Sequence, residues 1–64
     1  MFGKVTMFDS KKGYGYIRGD DNVSYNVHRS NIRKPSGLLD KGENVEFTKT
    51  TNEFGYAALN VRPI

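Results

Sequence analysis

Five short runs of strand-forming residues, each closed by turn formers, limit what this chain can fold into. They cover residues 4–8, 14–18, 23–28, 44–50 and 56–62, and no segment keeps the 3.6-residue apolar period of a helix. Turn residues separate them: Asp9-Ser10-Lys11-Lys12-Gly13, Gly19-Asp20-Asp21-Asn22 and Thr51-Asn52-Glu53-Phe54-Gly55. The longest connection, residues 30–42, contains Pro35-Ser36-Gly37, which stops a helix there and leaves space for a single turn over 30–32. Short strands with one long connection predict an all-β fold, a small five-stranded antiparallel barrel, because closure removes exposed sheet edges.

Alternation selects Val5, Ile17, Tyr25, Val27, Ile32, Val45, Phe47, Leu59 and Val61 as inward residues. That is a thin core. A chain of 64 residues holds one such core, so residues 1–64 are read as a single domain of marginal stability, on the order of a few kcal/mol. With no cysteine, disulfides and thiolate metal sites are excluded. No apolar run reaches the ~20 residues of a membrane span, and the first residues lack the apolar core of a signal peptide. The expectation is a cytoplasmic protein without membrane contact.

The stretch Lys12-Gly13-Tyr14-Gly15-Tyr16-Ile17 bears most directly on function. In a strand, Tyr14 and Tyr16 share one face while Gly15 and Ile17 share the other. Two exposed rings beside Lys11 and Lys12 offer a surface where unpaired bases stack and phosphates meet positive charge. Tyrosine is also an ordinary strand residue. The two glycines weigh against that plainer reading, because glycine weakens a strand and marks a bend or a close approach.

Charge agrees in placement more than in amount. The net charge is +3 and the isoelectric point about 9.4, which suits an anionic partner and also plain solubility. Lys4, Lys11, Lys12, Arg18, Arg29, Arg33 and Lys34 fall in the first 34 residues against Asp9, Asp20 and Asp21, so one face is expected to be positive. Arg33 and Lys34 either guide phosphates or simply solubilise their loop.

Catalysis has no foothold. The single histidine, His28, excludes a multi-histidine metal site, and the serines lack triad context. Gly13-Tyr14-Gly15 is followed by neither GK[ST] nor a helix, so it is no phosphate loop. No cofactor, metal or enzymatic role is expected.

These features, in this order, resemble the bacterial cold-shock proteins, five-stranded barrels of the oligonucleotide/oligosaccharide-binding type. Gly3-Lys4-Val5-Thr6-Met7-Phe8-Asp9 is similar to the family's opening strand, and Lys12-Gly13-Tyr14-Gly15-Tyr16-Ile17 to its first ribonucleoprotein motif. Val27-His28 with Ser30 and Ile32 occupies the place of the second motif, and Gly42, Val45, Phe47, Gly55, Ala58, Asn60 and Val61 continue the pattern. The departures are specific. Met7 stands where the family usually has tryptophan, and Tyr25-Asn26-Val27-His28-Arg29 replaces Val-Phe-Val-His-Phe. No aromatic lies between Arg33 and Gly42. The stacking surface is thereby reduced to Tyr14, Tyr16 and His28, with Phe8 as a fourth ring.

Partial replacements are present. Arg29 can stack its guanidinium plane and pair with phosphate. Met7 can lie against a base with less contact than an indole. Phe54 adds a ring where the family more often has a polar or basic residue. Alternation sets Asn26 on the face of His28, so a phenylalanine there would extend the row. It also sets Met7 with inward Val5, whereas the resemblance wants Met7 outside, which requires a bulge or strong twist.

The resemblance implies a stress-related RNA chaperone or regulator of transcription or translation. Its partner is single-stranded RNA or DNA, bound through Tyr14, Tyr16 and His28 as stackers and Lys12 and Arg29 as phosphate or base-plane contacts. Met7, Phe8, Lys4 and Phe54 are secondary. A barrel that has lost nucleic-acid affinity and docks on proteins is the alternative. A monomer is expected, with a strand-swapped dimer as the other arrangement open to small barrels.

Overall fold

The computed structural model describes residues 1–64, all of the chain. It contains β1 (Phe2–Asp9), β2 (Tyr14–Gly19), β3 (Ser24–His28), a 3₁₀ turn (Arg29–Asn31), β4 (Asn44–Asn52) and β5 (Gly55–Pro63). The strands close into a barrel in the order β1-β2-β3-β5-β4. All five expected strands are present, mostly a residue or two longer than their apolar runs. The helical turn falls over Arg29–Asn31 instead of 30–32; buried Ile32 follows it, bridging to Val61.

Pairing corrects one expectation. Four of the neighbouring strand pairs are antiparallel, but β3 meets β5 in parallel, with Asn26 opposite Ala57. The long connection after β3 crosses the barrel so that β4 pairs β1, and β5 returns in the direction of β3. A closed ring of five strands cannot alternate in direction at every seam, so one parallel pair is unavoidable, and the crossing of the long connection places it between β3 and β5.

Two bulges decide which side chains face in. On β1, Val5 pairs Ile17 and Met7 pairs Tyr16, so Thr6 is the extra residue; its hydroxyl donates to the Tyr16 carbonyl at 3.2 Å. The bulge puts Val5 in the core and Met7 on the outside, which resolves the conflict on that strand. On β5, Thr48 pairs Leu59 and Glu46 pairs Arg62, so one residue is extra there too. Asn60 adopts a left-handed φ of 52° at that point, and the Arg33 guanidinium donates to its side-chain oxygen at 2.8 Å.

The second bulge moves Leu59 to a half-buried position, whereas the sequence had suggested the core. Ala57 and Ala58 are buried instead, and Leu39 contributes from the long loop. The other expected inward residues, Val5, Ile17, Tyr25, Val27, Ile32, Val45, Phe47 and Val61, are all buried. Tyr25 and Phe47 pack ring against ring at 5.1 Å in this core.

The long loop is fastened at its base by Glu43, whose carboxylate accepts from Lys34 Nζ at 3.1 Å and from the Asp40 amide at 3.0 Å. Burial pushes the Glu43 pKa up, but these partners outweigh it and hold the carboxyl below its ordinary value. The loop is therefore tied beside the start of β4, with Leu39 turned inward.

Candidate nucleic-acid interface

The outward side chains of β2 and β3 form a short grid. Tyr14 lies opposite His28, Tyr16 opposite Asn26 and Arg18 opposite Ser24, while Met7 of β1 flanks Tyr16 on the other side. Tyr16 and Met7 are each 41% exposed, and Tyr14 is half-buried beneath its neighbours. The two tyrosine rings meet edge to face, with centroids 6.5 Å apart and planes at 85°.

Gly15 makes this arrangement possible from below. A Cβ there would collide with the Met7 carbonyl and come within 2.8 Å of Phe8, because β1 crosses directly over it. Its absent side chain therefore serves the close approach of β1, one of the two roles expected of a strand glycine. Gly13 has a left-handed φ of 74° in the turn before β2, and its carbonyl accepts from the Arg29 amide at 2.8 Å. That bond sets Arg29 at the Tyr14–His28 end of the grid.

His28 is oriented by the turn that follows it. The Ser30 backbone N–H donates to Nδ1 at 3.2 Å, and the Ser30 hydroxyl lies 2.8 Å from the same atom. An N–H aimed at Nδ1 makes that nitrogen the acceptor and leaves Nε2 as the N–H donor of the neutral ring. The exposed imidazole is thus fixed in plane and presents a donor edge.

Phe54 joins these rings from a different part of the chain. It sits in the two-residue turn between β4 and β5 and is 80% exposed. With Tyr14, Tyr16, Asn26, His28 and Asn52 it lines a groove of about 450 Å³. Asn26 occupies the outward position expected for it, but its amide is committed: Nδ2 donates to the Tyr56 carbonyl at 2.8 Å. A ring at position 26 would have to replace that bond.

The remaining sequence candidates are distributed around this groove. Lys12 is exposed in the β1–β2 turn, where its amide and that of Lys11 both donate to Asp9 Oδ1. Phe8 is half-buried and packs against the core opposite Gly15, so it supports the face more than it adds to it. Lys4 lies apart, opposite Arg18 at the far end of the grid. There, with Phe2, Arg18 and Lys41, it lines a second groove of about 560 Å³ on the outer side of β1. That groove is larger but shallower, and Phe2 is its sole ring, so it is the weaker stacking site.

Charge is available next to the tyrosine groove. Only Lys34 and Arg62 pair with carboxylates, at 3.0 Å to Glu43 and 2.7 Å to Glu46. Lys11, Lys12 and Arg29 are left free to meet an anion. Sequence reasoning missed Asn52 as a wall of the groove, since nothing in its local context distinguishes it from any turn asparagine.

Comparison with known proteins converges on one family. The model of the 'Cold-shock' DNA-binding domain matches residues 1–64. The chain belongs to the cold-shock domain family. A cold shock-like protein of Thermotoga maritima is 40% identical over 65 residues, covering 100% of this chain and 98% of its own. Cold shock protein 2 of Lactiplantibacillus plantarum is 36% identical over 62 residues, covering 95% of this chain and 94% of its own. Among solved structures, the drosophila Unr CSD456 chain superposes with a TM-score of 0.80 at 20% identity, over 98% of this cold-shock domain and 26% of that chain. That likeness concerns the fold alone. Family membership makes this cold-shock domain a nucleic-acid-binding, non-enzymatic module. No helix is long and apolar enough to cross a membrane.

Proposed function

We propose that this cold-shock domain binds single-stranded RNA or DNA with little sequence preference and acts as an RNA chaperone. Bases stack on Tyr14, Tyr16 and His28, while Lys12 and Arg29 meet the phosphates between them. The observation that carries this reading is the convergence of Tyr14, Tyr16, His28 and Phe54 on one groove beside unpaired cations. Trapping an unpaired strand by mass action requires no cofactor or hydrolysis. It keeps inhibitory RNA structure from re-forming, and the setting for such work is the cytoplasm. The protein acts as a monomer in this reading.

Titration with hexathymidylate, following quenching of tyrosine fluorescence, tests the proposal. Saturable quenching that weakens with salt is expected. A protein that stays folded and shows neither quenching nor a shift in a labelled oligonucleotide's anisotropy would overturn it, and protein docking would become the better account of the barrel.

A further inference from the structure

The most exposed ring of the groove is the one least secured by packing. Phe54 is 80% exposed and sits at the tip of the β4–β5 hairpin, where Asn52 pairs with Gly55 and leaves Glu53 and Phe54 as the turn. Such a ring would ordinarily swing with its turn, because few apolar contacts hold it. Here hydrogen bonds fix the backbone that carries it.

Two side-chain amides make the connection. Asn52 Nδ2 donates to Asn26 Oδ1 at 3.3 Å, and Asn26 Nδ2 reaches Asn52 Oδ1 at 3.5 Å. Asn26 Nδ2 also donates to the Tyr56 carbonyl at 2.8 Å, and Asn52 Oδ1 accepts from the Phe54 amide at 2.9 Å. The hairpin tip is thus tied on both sides of Phe54 to the middle of β3, the position opposite Tyr16. Both asparagines line the same groove as Tyr14, Tyr16 and Phe54, at a volume within the range of small-ligand clefts. One N–H of Asn52 Nδ2 remains free for a ligand's acceptor.

We propose that Asn26 and Asn52 are positioning residues: their paired amides hold Phe54 as the second wall of a slot for one unpaired base, facing the tyrosines. This inference rests on the single-strand reading above. It makes affinity depend on a pre-set turn, since a wall already in place loses less conformational freedom on binding than one ordered by the ligand.

A double-mutant cycle in the full chain tests it. Hexathymidylate affinity is measured for wild type, Asn52→Ala, Phe54→Ala and the double variant, well below their melting temperatures. Asn52→Ala is expected to weaken binding by at least about five-fold, the lower end of one base stack, when Phe54 is present. In the Phe54→Ala background its effect should shrink to less than about two-fold, because the ring it positions is gone. In the free protein, Asn52→Ala and Asn26→Ala should each accelerate hydrogen exchange at the Phe54 amide, a readout independent of any nucleic acid. Equal losses in both backgrounds, no loss in either, or unchanged exchange would overturn the clamp. Wild-type protein that fails to bind hexathymidylate would sink the single-strand reading itself, and the slot with it.

Discussion

At the scale of single residues, exposure separates rings that bind from rings that hold the fold. Tyr16 is 41% exposed on the outer face, whereas Tyr25, two positions before Val27 on the next strand, is buried against Phe47. Tyr16→Ala should therefore weaken single-strand binding by roughly 1–3 kcal/mol, the value of one stack, and leave the melting transition nearly in place. Unfolding of that variant, seen by circular dichroism, would show that the ring is structural. Met7 is outward beside Tyr16, so Met7→Trp should tighten binding by about the same 1–3 kcal/mol in an oligonucleotide titration. The companion change at Asn26 has a different prospect. A phenylalanine there gains a ring but forfeits the bonds to Asn52 and Tyr56, so no net gain in affinity is expected.

At the scale of elements, the turn between β2 and β3 is locked to the core by one polar contact. The Tyr25 hydroxyl donates a short hydrogen bond to Asp21 Oδ2, and the Val23 amide donates to the other carboxylate oxygen at 3.1 Å. The bond to Tyr25 holds the Asp21 carboxyl below its ordinary 3.8. The bond to Asp21, reinforced by burial, pushes the Tyr25 phenol up to about 12. The signs then follow from linkage. A lowered carboxyl pKa stabilises the fold above pH 3.8, and that contribution is lost as pH falls through the lower folded value. A raised phenol pKa stabilises the fold below pH 10.0 and is lost as pH rises toward 12. Thermal melts across pH should accordingly fall off at both ends. Tyr25→Phe should flatten the alkaline limb between pH 10 and about 12 and shrink the acid one. An alkaline limb unchanged in that variant would mean that other groups govern it.

At the scale of the whole molecule, the barrel separates a ring-bearing face from the ion pairs. Lys34–Glu43 and Arg62–Glu46 lie on the loop and the β4–β5 side, leaving Lys11, Lys12 and Arg29 free at the end of the tyrosine grid. If these three meet phosphates, the log–log salt slope for a single strand should be about −2, at ~0.7 per contact. Affinity would then drop roughly fifteen-fold between 50 and 200 mM salt. An affinity flat across that range, in a direct titration, would leave stacking as the whole of the interaction. With only 15 of 64 residues buried, the fold has little reserve, so substitutions meant to probe binding should stay on the outer face.

Local chemistry by itself determined the strands, their turns and the two-tyrosine face, because alternation and turn residues act over neighbouring positions. Lys12 to Ile17 reads correctly without any partner strand, and so do the inward Val5, Ile17, Tyr25 and Val27. Tertiary structure decided what depends on chain crossing. The parallel β3–β5 seam, the left-handed Asn60 that turns Leu59 from the core, and the inward Leu39 all arise from how distant segments meet. The same holds in the groove. Phe54 reaches the tyrosines only because closure brings the β4–β5 hairpin beside β3, and Asn26 and Asn52, 26 positions apart, bond only across that seam. No pattern of period two carries such information, since amides so far apart in sequence meet only when the barrel closes.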